Sequence, residues 1–382
     1  MIRVQAMDNN KQENINNCKK SQIYHYIYKE RRTSRNKIAE DLGLSLPTVA
    51  QNLKELLEED LIEKNGYFQS TGGRKCNVYS CTSNNHIAIG AHIAKNNLRL
   101  VAVDLYGTVL KRSHITETYE HSQKYYRSFA QHVNTFVKSL NISNKRILGV
   151  GIAITALLSR DRRSVTKSVL LGTAEATLAD FREYLDFPCQ LFHDSEAAAG
   201  AELWFSPETT DALYLGLNNH LNGALITNGK IHVGKEFSGG LVEHMILYPG
   251  GRECYCGKKG CLTTYCSANV LFEDWDSEAR DIFFKNLRNG SRDESRKWNQ
   301  YLSDLSIAIG SLSALLDCDI ILGGTLGAYI TDEDIAGLQK LVRSDSNYAP
   351  STDFIRHGHQ DVDICACGAA MAYIAEFIES IR

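Results

Sequence analysis

The residues with the clearest chemistry are three cysteines and one histidine in a short segment: His244, Cys254, Cys256 and Cys261. Thiolates and neutral imidazoles are preferred ligands of Zn²⁺, which binds four of them in a tetrahedron. Gly257 and Gly260 allow the loop to fold back so that the sulfur atoms converge. Because this set fills the tetrahedron, we expect one structural zinc ion per chain. The alternative is a chance cluster of reduced thiols.

A second chemical group consists of polar residues near the N-terminus: Thr48, Gln51, Asn52 and Lys54. Short polar side chains can contact base edges, and a lysine can pair with a phosphate. We therefore expect these residues to contact double-stranded DNA. They need a helix that presents them on one face.

Two short helices joined by a glycine turn are predicted to position this group. Ser34 and Ser45 are suited to cap the helices, Gly43 to make the turn, and Pro47 to occupy the first turn of the second helix. Apolar residues recur at helical spacing in both segments. The pattern is typical of a helix-turn-helix, whose second helix enters the major groove.

A predicted hairpin follows, with strands near residues 61–68 and 77–79. Its tip contains two glycines, then Arg74 and Lys75, which can enter a minor groove or grip phosphates. The sequence thus predicts a winged helix-turn-helix domain over residues 1–82, including an N-terminal arm. The alternative is a module that binds another protein.

Composition is compatible with this interpretation. The chain has 382 residues, 43% hydrophobic and 23% charged, with a net charge of −3. Residues 1–82 contain 13 Lys and Arg against 10 Asp and Glu, so the head is mildly basic and the remainder acidic. No apolar run is long enough to cross a bilayer, and the N-terminus is too polar for a secretory signal. We expect a cytoplasmic protein that does not bind membranes.

The body, from residue 83 onward, alternates strand and helix patterns. Strands are predicted at 87–93, 98–104, 147–154, 189–192, 212–217, 224–226 and 320–322, and a helix over 368–381. This alternation predicts an α/β body.

Several motifs of the body resemble the ROK family (repressors, open reading frames, kinases). They are Gly240-Leu241-Val242-Glu243-His244, the Cys254–Leu262 segment, His193-Asp194-Ser195-Glu196 and Gly323-Gly324, with Gly72-Gly73-Arg74 in the head. The resemblance covers nearly the whole chain from about Ser21. It implies a two-lobed, actin-like (ribonuclease H-like) sugar kinase fold. In family members with an extended N-terminus, the sugar-responsive repressors of the N-acetylglucosamine and xylose type, a winged helix precedes this fold.

The resemblance also implies where kinase chemistry would occur, and the sequence departs from the family there. The Asp-x-Gly-x-Thr phosphate turn is replaced by His92-Ile93-Ala94-Lys95-Asn96, and only one glycine remains in the second phosphate loop, at 218–223. Phosphoryl transfer needs positioned phosphates and metal. We therefore expect no enzyme activity. An active sugar kinase with an appended DNA-binding head is the alternative.

The family's sugar pocket is altered as well. Asp194 matches the carboxylate that contacts sugar, and with His193 and His244 it is the expected ligand-binding set. Leu241 and Thr263 replace two glutamates, and Thr155-Ala156 replaces a Pro-Gly turn. Sugar hydroxyls would lose two acceptors, so we expect a different sugar, another small molecule or no ligand.

The resulting hypothesis is a repressor of genes for carbohydrate uptake or metabolism. It would bind an operator as a homodimer or dimer of dimers and respond to a sugar or sugar derivative. The first lobe is predicted over residues 83–200, completed by a helix at 366–382, and the second lobe with the zinc loop over 201–365. A zinc-responsive regulator, with the metal as its signal, is a further alternative.

Overall fold

The computed structural model describes residues 18–68, 76–172, 175–272, 277–345 and 353–381. The predicted arm (residues 1–17) and the hairpin tip with Arg74 and Lys75 lie outside these ranges. Among the described helices, none is both long enough and apolar enough to span a bilayer.

The head contains helices α1 (residues 18–30), α2 (Arg35–Leu42) and α3 (Leu46–Glu58). The side chain of Ser34 accepts a hydrogen bond from the backbone N–H of Lys37 and caps α2. Gly43 ends α2 with φ 62°, a left-handed conformation that glycine adopts without strain. Ser45 caps α3 by accepting from the N–H of Thr48. The predicted helix-turn-helix is confirmed.

The hairpin of the head is formed by β1 (Ile62–Tyr67) and β2 (Asn77–Cys81), which pair antiparallel. β1 is exposed beyond Ile62, whereas β2 is mostly buried. Together, the helices and the hairpin enclose an apolar core whose fully buried members include Ile23, Ile27, Ile38, Val49 and Leu56.

The first lobe contains strands β3 (Ile87–Ala94), β4 (Asn97–Val103), β5 (Val109–Ile115), β6 (Ile147–Ile154), β7 (Leu157–Leu158), β8 (Val165–Lys167) and β9 (Cys189–His193), with helices α4 (Gln123–Lys138) and α5 (Leu178–Arg182). Five of these described strands form a sheet in the order β5-β4-β3-β6-β9. The pairs β3–β4 and β4–β5 are antiparallel, and β3–β6 and β6–β9 are parallel. β5 was not predicted from the sequence.

Helix α6 (Asp194–Phe205) follows β9. The second lobe comes after it and contains β10 (Ala212–Gly216), β11 (Asn222–Thr227), β12 (Lys230–His232), α7 (Thr263–Cys266), α8 (Ser277–Arg288), α9 (Arg292–Leu316), β13 (Asp319–Gly323), α10 (Gly324–Gly327), α11 (Asp332–Asp345) and β14 (Ile355–His357). Its described strands form a sheet in the order β12-β11-β10-β13-β14. The parallel pairs β10–β13 and β13–β14 place the carboxyl ends of these strands at one edge of the sheet. Two mixed sheets flanked by helices confirm the α/β class.

A final helix, α12 (Ile364–Ser380), packs on β3, β6 and α6. It begins before Gly368, where the sequence predicted its start. Gly368 therefore lies inside the helix. Its lack of a side chain is needed there, because a Cβ would stand 1.7 Å from the carbonyl oxygen of Ala197 in α6. A Cβ on Gly90 of β3 would likewise stand 1.9 Å from the carbonyl oxygen of Ala366. Two glycines thus allow α12 to lie close to both the sheet and α6.

Candidate functional site

The predicted zinc ligands converge in the second lobe. The ligand atoms of His244, Cys254, Cys256 and Cys261 all lie within 4.8 Å of one another. Sγ of Cys256 is 3.7 Å from Sγ of Cys261, and Sγ of Cys254 is 3.8 Å from Nδ1 of His244. A tetrahedron with metal–sulfur bonds of about 2.3 Å has edges of roughly 3.8 Å. The four side chains can therefore hold a tetrahedral metal ion.

Backbone hydrogen bonds shape the loop that carries the cysteines. The N–H of Cys254 donates to the carbonyl of Lys258 over 2.8 Å, and the N–H of Gly257 donates to the carbonyl of Cys254 over 2.9 Å. Gly260 has φ 83°, and a Cβ there would stand 1.8 Å from the carbonyl oxygen of Tyr248. The loop therefore requires glycine at this position, in agreement with the role expected for Gly260 from the sequence. Cys266 is buried in α7 and is not among the clustered ligands.

His244 is suited to metal binding by its charge state. Burial, followed by the nearby positive charges of Lys258 and Lys167, lowers the pKa of His244. A neutral imidazole is the form that donates a lone pair to a metal.

A cavity of about 220 Å³ lies beside the metal cluster, between the two lobes. Its wall includes the predicted ligand-binding residues His193, Asp194 and His244, together with apolar side chains such as Leu157, Leu221 and Leu241 and the ring of Tyr255. A mainly apolar lining with a few polar groups is typical of small-molecule sites. The structure thus brings the three predicted residues to one cavity.

Asp194 is the first residue of α6, directly after β9, and is 4% exposed. Its carboxylate accepts hydrogen bonds from Thr155 Oγ1 over 2.8 Å and from the backbone N–H of Ser195 over 2.7 Å. Burial alone would raise its pKa, but His92, His193 and Thr155 outweigh this effect and hold the pKa at about 2. Asp194 is therefore an ionised acceptor in the cavity wall.

Glu243, which was not predicted from the sequence as a site residue, also lines this cavity. Its side chain is 6% exposed, and among the described residues its Oε2 atom has no hydrogen-bond partner. Burial raises the pKa of Glu243 to about 8. The only indication in the sequence was its place between Val242 and the metal ligand His244.

A second cavity, of about 420 Å³, adjoins the first and shares with it Thr155, Asp194, His220 and Asn222. It is lined by the segments that would cradle nucleotide phosphates in a kinase, among them Ala94–Asn96 and Asn218. Oδ1 of Asn218 accepts from the N–H and hydroxyl of Thr325, over 2.9 and 3.0 Å. A side chain therefore occupies the space beside Gly324 where a glycine-rich loop would leave the backbone open.

The predicted DNA-contacting residues lie on α3, but not all on its outer face. Gln51 and Lys54 are exposed, and among the described residues their side chains contact Glu55 over 2.8 Å and Glu58 over 3.7 Å, both within α3. Thr48 is half-buried beside the capping Ser45.

Asn52 does not lie on the exposed face, contrary to the sequence analysis. It is 4% exposed, and its amide donates to the carbonyl of Thr48 over 2.8 Å. Its spacing from Val49, Leu53 and Leu56 places it on the buried side of α3, as the helical period requires. The structure does not describe Arg74 and Lys75.

Two family models match the chain. The ROK family model matches residues 88–372, and a winged helix-turn-helix DNA-binding model matches residues 19–63.

Curated relatives are bacterial regulators. The chain is 24% identical to the DNA-binding transcriptional dual regulator NagC of Escherichia coli (strain K12) over 66% of this chain and 62% of that protein. The match therefore spans less than two thirds of the length of NagC. Identity to the putative xylose repressor of Caldicellulosiruptor sp. (strain Rt8B.4) is 23% over 86% of this chain and 88% of that protein.

Solved structures share the fold. A ROK family transcriptional regulator, a homolog of the E. coli MLC protein, aligns with TM-score 0.73 and 16% identity over 95% of this chain and 98% of its own. The ROK hexokinase from Thermus thermophilus aligns with TM-score 0.61 and 19% identity, covering 77% of this chain and 100% of its own. The hexokinase match leaves about a quarter of the chain unaligned.

Proposed function

This chain belongs to the ROK family, and from that premise we propose that it is a sequence-specific DNA-binding transcriptional repressor that responds to a sugar or related small molecule. The observation that carries the proposal is a helix-turn-helix with an exposed polar helix face on the same chain as a lobed body with a ligand-sized cavity. The bacterial relatives carry the names DNA-binding transcriptional dual regulator, N-acetylglucosamine repressor and xylose repressor. Such a protein would act in the cytoplasm, where bacterial DNA lies, on genes of carbohydrate uptake or metabolism.

In the head, Gln51, Lys54 and Thr48 of α3 would enter a major groove, with Arg74 and Lys75 reaching the adjacent minor groove or phosphates. Asn52 would not contact a base, because it is buried and its amide is bonded to the Thr48 carbonyl one turn earlier in α3. Two heads in a homodimer, or in a dimer of dimers, would match half-sites about one helical turn or a multiple apart. Ligand-induced change in the placement of the heads would then alter operator affinity.

In the body, His193, Asp194 and His244 would face the effector. The His244–Cys254–Cys256–Cys261 cluster would hold one structural Zn²⁺. Zinc suits the donor set because three thiolates and an imidazole fill a tetrahedron and leave no open position for catalysis. His244 would then link the metal loop to the cavity, since it belongs to both.

Phosphoryl transfer is not part of this proposal. His92 and Ala94 stand where a kinase needs an acidic residue and a glycine, and Asn218 fills the space beside Gly324. The structural likeness to kinases is below 25% identity and concerns the fold alone. An ATP-consumption assay over a sugar panel should give no turnover.

The proposal is tested with the full-length protein in a selection of bound fragments from genomic DNA, followed by affinity measurements with and without sugars. We expect a preferred inverted-repeat site whose affinity falls when one sugar or sugar derivative is added. Asp194→Ala should retain DNA binding and lose the response to the ligand. Absence of any preferred DNA sequence, under every ligand condition, would contradict the proposal.

A further inference from the structure

Glu243 is a buried carboxylate whose Oε2 has no hydrogen-bond partner among the described residues. A buried acceptor without a partner is unfavourable unless a ligand or water supplies a donor. The residue lies in the cavity wall that also holds Asp194. The cavity wall therefore includes a carboxyl group that carries a polar atom left unsatisfied by the described part of the protein.

The position of Glu243 has a counterpart in the altered motif. Leu241 occupies the place where a glutamate was expected in this segment, and Glu243 stands two residues after it. Both residues line the cavity. The chain has thus lost a carboxylate at one position and carries another two residues later, on the same short turn before His244.

Resting on the effector cavity proposed above, we infer that Glu243 is a specificity-determining residue that accepts a hydrogen bond from the effector. The ligand class is a monosaccharide that places a donor, either a hydroxyl or an amino group, against the carboxyl group of Glu243. Asp194 would accept a second donor of the same ligand, and the ring of Tyr255 would cover an apolar face. Placing an acceptor at 243 instead of 241 would favour ligands whose donor points differently from that of the family's usual sugars.

The surroundings of Glu243 agree with a role toward a ligand. The carboxylate of Asp194 already accepts hydrogen bonds from the Thr155 hydroxyl and the Ser195 N–H. The Oε2 atom of Glu243 accepts none from the described part of the protein. Lys167 and Lys258 also line the cavity, but both are exposed and neither is hydrogen-bonded to Glu243. A donor from the ligand would complete the set.

The test is calorimetric titration of metal-loaded, full-length protein with glucose, xylose, glucosamine and N-acetylglucosamine. The variants are Glu243→Ala and the isosteric Glu243→Gln. Glu253→Gln is the matched control, because Glu253 directly precedes Cys254, is exposed, and forms an ion pair with Lys259 over 3.1 Å within the same loop. Metal content and melting temperature verify that each variant retains the loop.

We expect Glu243→Ala to weaken binding of the preferred sugar by about tenfold or more, and Glu253→Gln to leave it unchanged. If the ligand donates from a hydroxyl, Glu243→Gln should lose only part of the sugar affinity. If the ligand donates from an ammonium group, Glu243→Gln should lose as much affinity as Glu243→Ala, and the wild type should prefer glucosamine. Unchanged affinity in both Glu243 variants overturns this inference and leaves the proposed function standing. If the wild-type protein binds none of the sugars, the inference fails together with the sugar-effector part of the proposed function.

Discussion

The hydroxyl of Tyr28 in the head donates a hydrogen bond to the carbonyl oxygen of Leu105 in the first lobe, over 2.7 Å. The next residue, Tyr106, has its ring 3.5 Å from the guanidinium carbon of Arg31 of the head, and its carbonyl accepts from the indole N–H of Trp204 over 3.2 Å. Trp204 lies near the end of α6, and Asp194 begins that helix in the cavity. One helix therefore connects the cavity with the junction between head and body.

We expect Tyr28→Phe to lower the free energy of unfolding by about 1 kcal/mol, because one partly buried hydrogen bond is lost. The variant should also reduce the effect of the ligand on operator affinity, since the head is less firmly held to α6 through Tyr106. Denaturant unfolding and ligand-dependent DNA titrations measure the two effects. Tyr26→Phe removes the same atom from a bond to Asp41 within the head and serves as the control. An equal loss of ligand response in both variants would contradict a specific role for the junction.

The outer face of α3 should separate two kinds of DNA contact. Gln51→Ala should relax specificity at one base pair, with a cost of about 1–3 kcal/mol on the preferred operator. Lys54→Ala should weaken binding to all DNA sequences alike. It should also reduce the salt dependence of the binding constant by the amount expected for about one lost phosphate contact. Binding to operator and scrambled DNA over a range of salt concentrations tests both changes.

Lys340→Ala is the matched control for the lysine variant. Lys340 is an exposed lysine of α11 in the second lobe, so its loss should leave DNA affinity and salt dependence unchanged. If Lys340→Ala and Lys54→Ala weaken DNA binding equally, the loss arises from the lower net charge of the protein, and Lys54 of α3 does not contact a phosphate.

Cys256→Ser should remove the bound metal and lower the melting temperature, because a three-ligand site holds zinc far more weakly than a closed tetrahedron. The wild type should contain one zinc ion per chain by elemental analysis. Cys266→Ala is a suitable comparison, since Cys266 is buried nearby but is not one of the clustered ligands. If Cys266→Ala loses the metal and Cys256→Ser keeps it, the ligand set is misassigned.

Glu202 predicts a defined pH dependence of stability. It is 2% exposed, and burial raises its pKa from 4.5 to about 7 against the opposing effects of the His359 N–H and Arg356. Between these two pH values the folded protein holds a proton that the unfolded chain releases, so the stabilising contribution is lost as the pH rises from 4.5 through 7.

Glu202→Gln removes this titration while keeping an acceptor for the His359 N–H. The stability of the variant relative to wild type should therefore increase from pH 5 to pH 8, by at most about 3 kcal/mol. Melting curves at several pH values measure the difference, with Glu333→Gln on the exposed start of α11 as the comparison. A difference that is constant with pH would refute the assignment.

Much of the molecule could be predicted from local sequence because the governing interactions are local. Capping by Ser34 and Ser45, the left-handed turn at Gly43 and the convergence of cysteines around Gly260 each depend on a few neighbouring residues. The central strands were predictable because buried strands require runs of apolar residues. Strand β5 was missed because its residues are largely exposed, and only its pairing with β4 makes it a strand.

The tertiary structure decided the relationships between distant segments. That Thr155, Asp194 and Glu243 line one cavity depends on how two lobes and α6 pack. No local pattern encodes such an approach, because it is fixed by the burial of whole elements, such as α12 held close by Gly90 and Gly368. The sequence by itself determined most of the central elements and the four residues that cluster as candidate metal ligands, because these depend on local patterns. Packing decided what the cavity presents to a ligand.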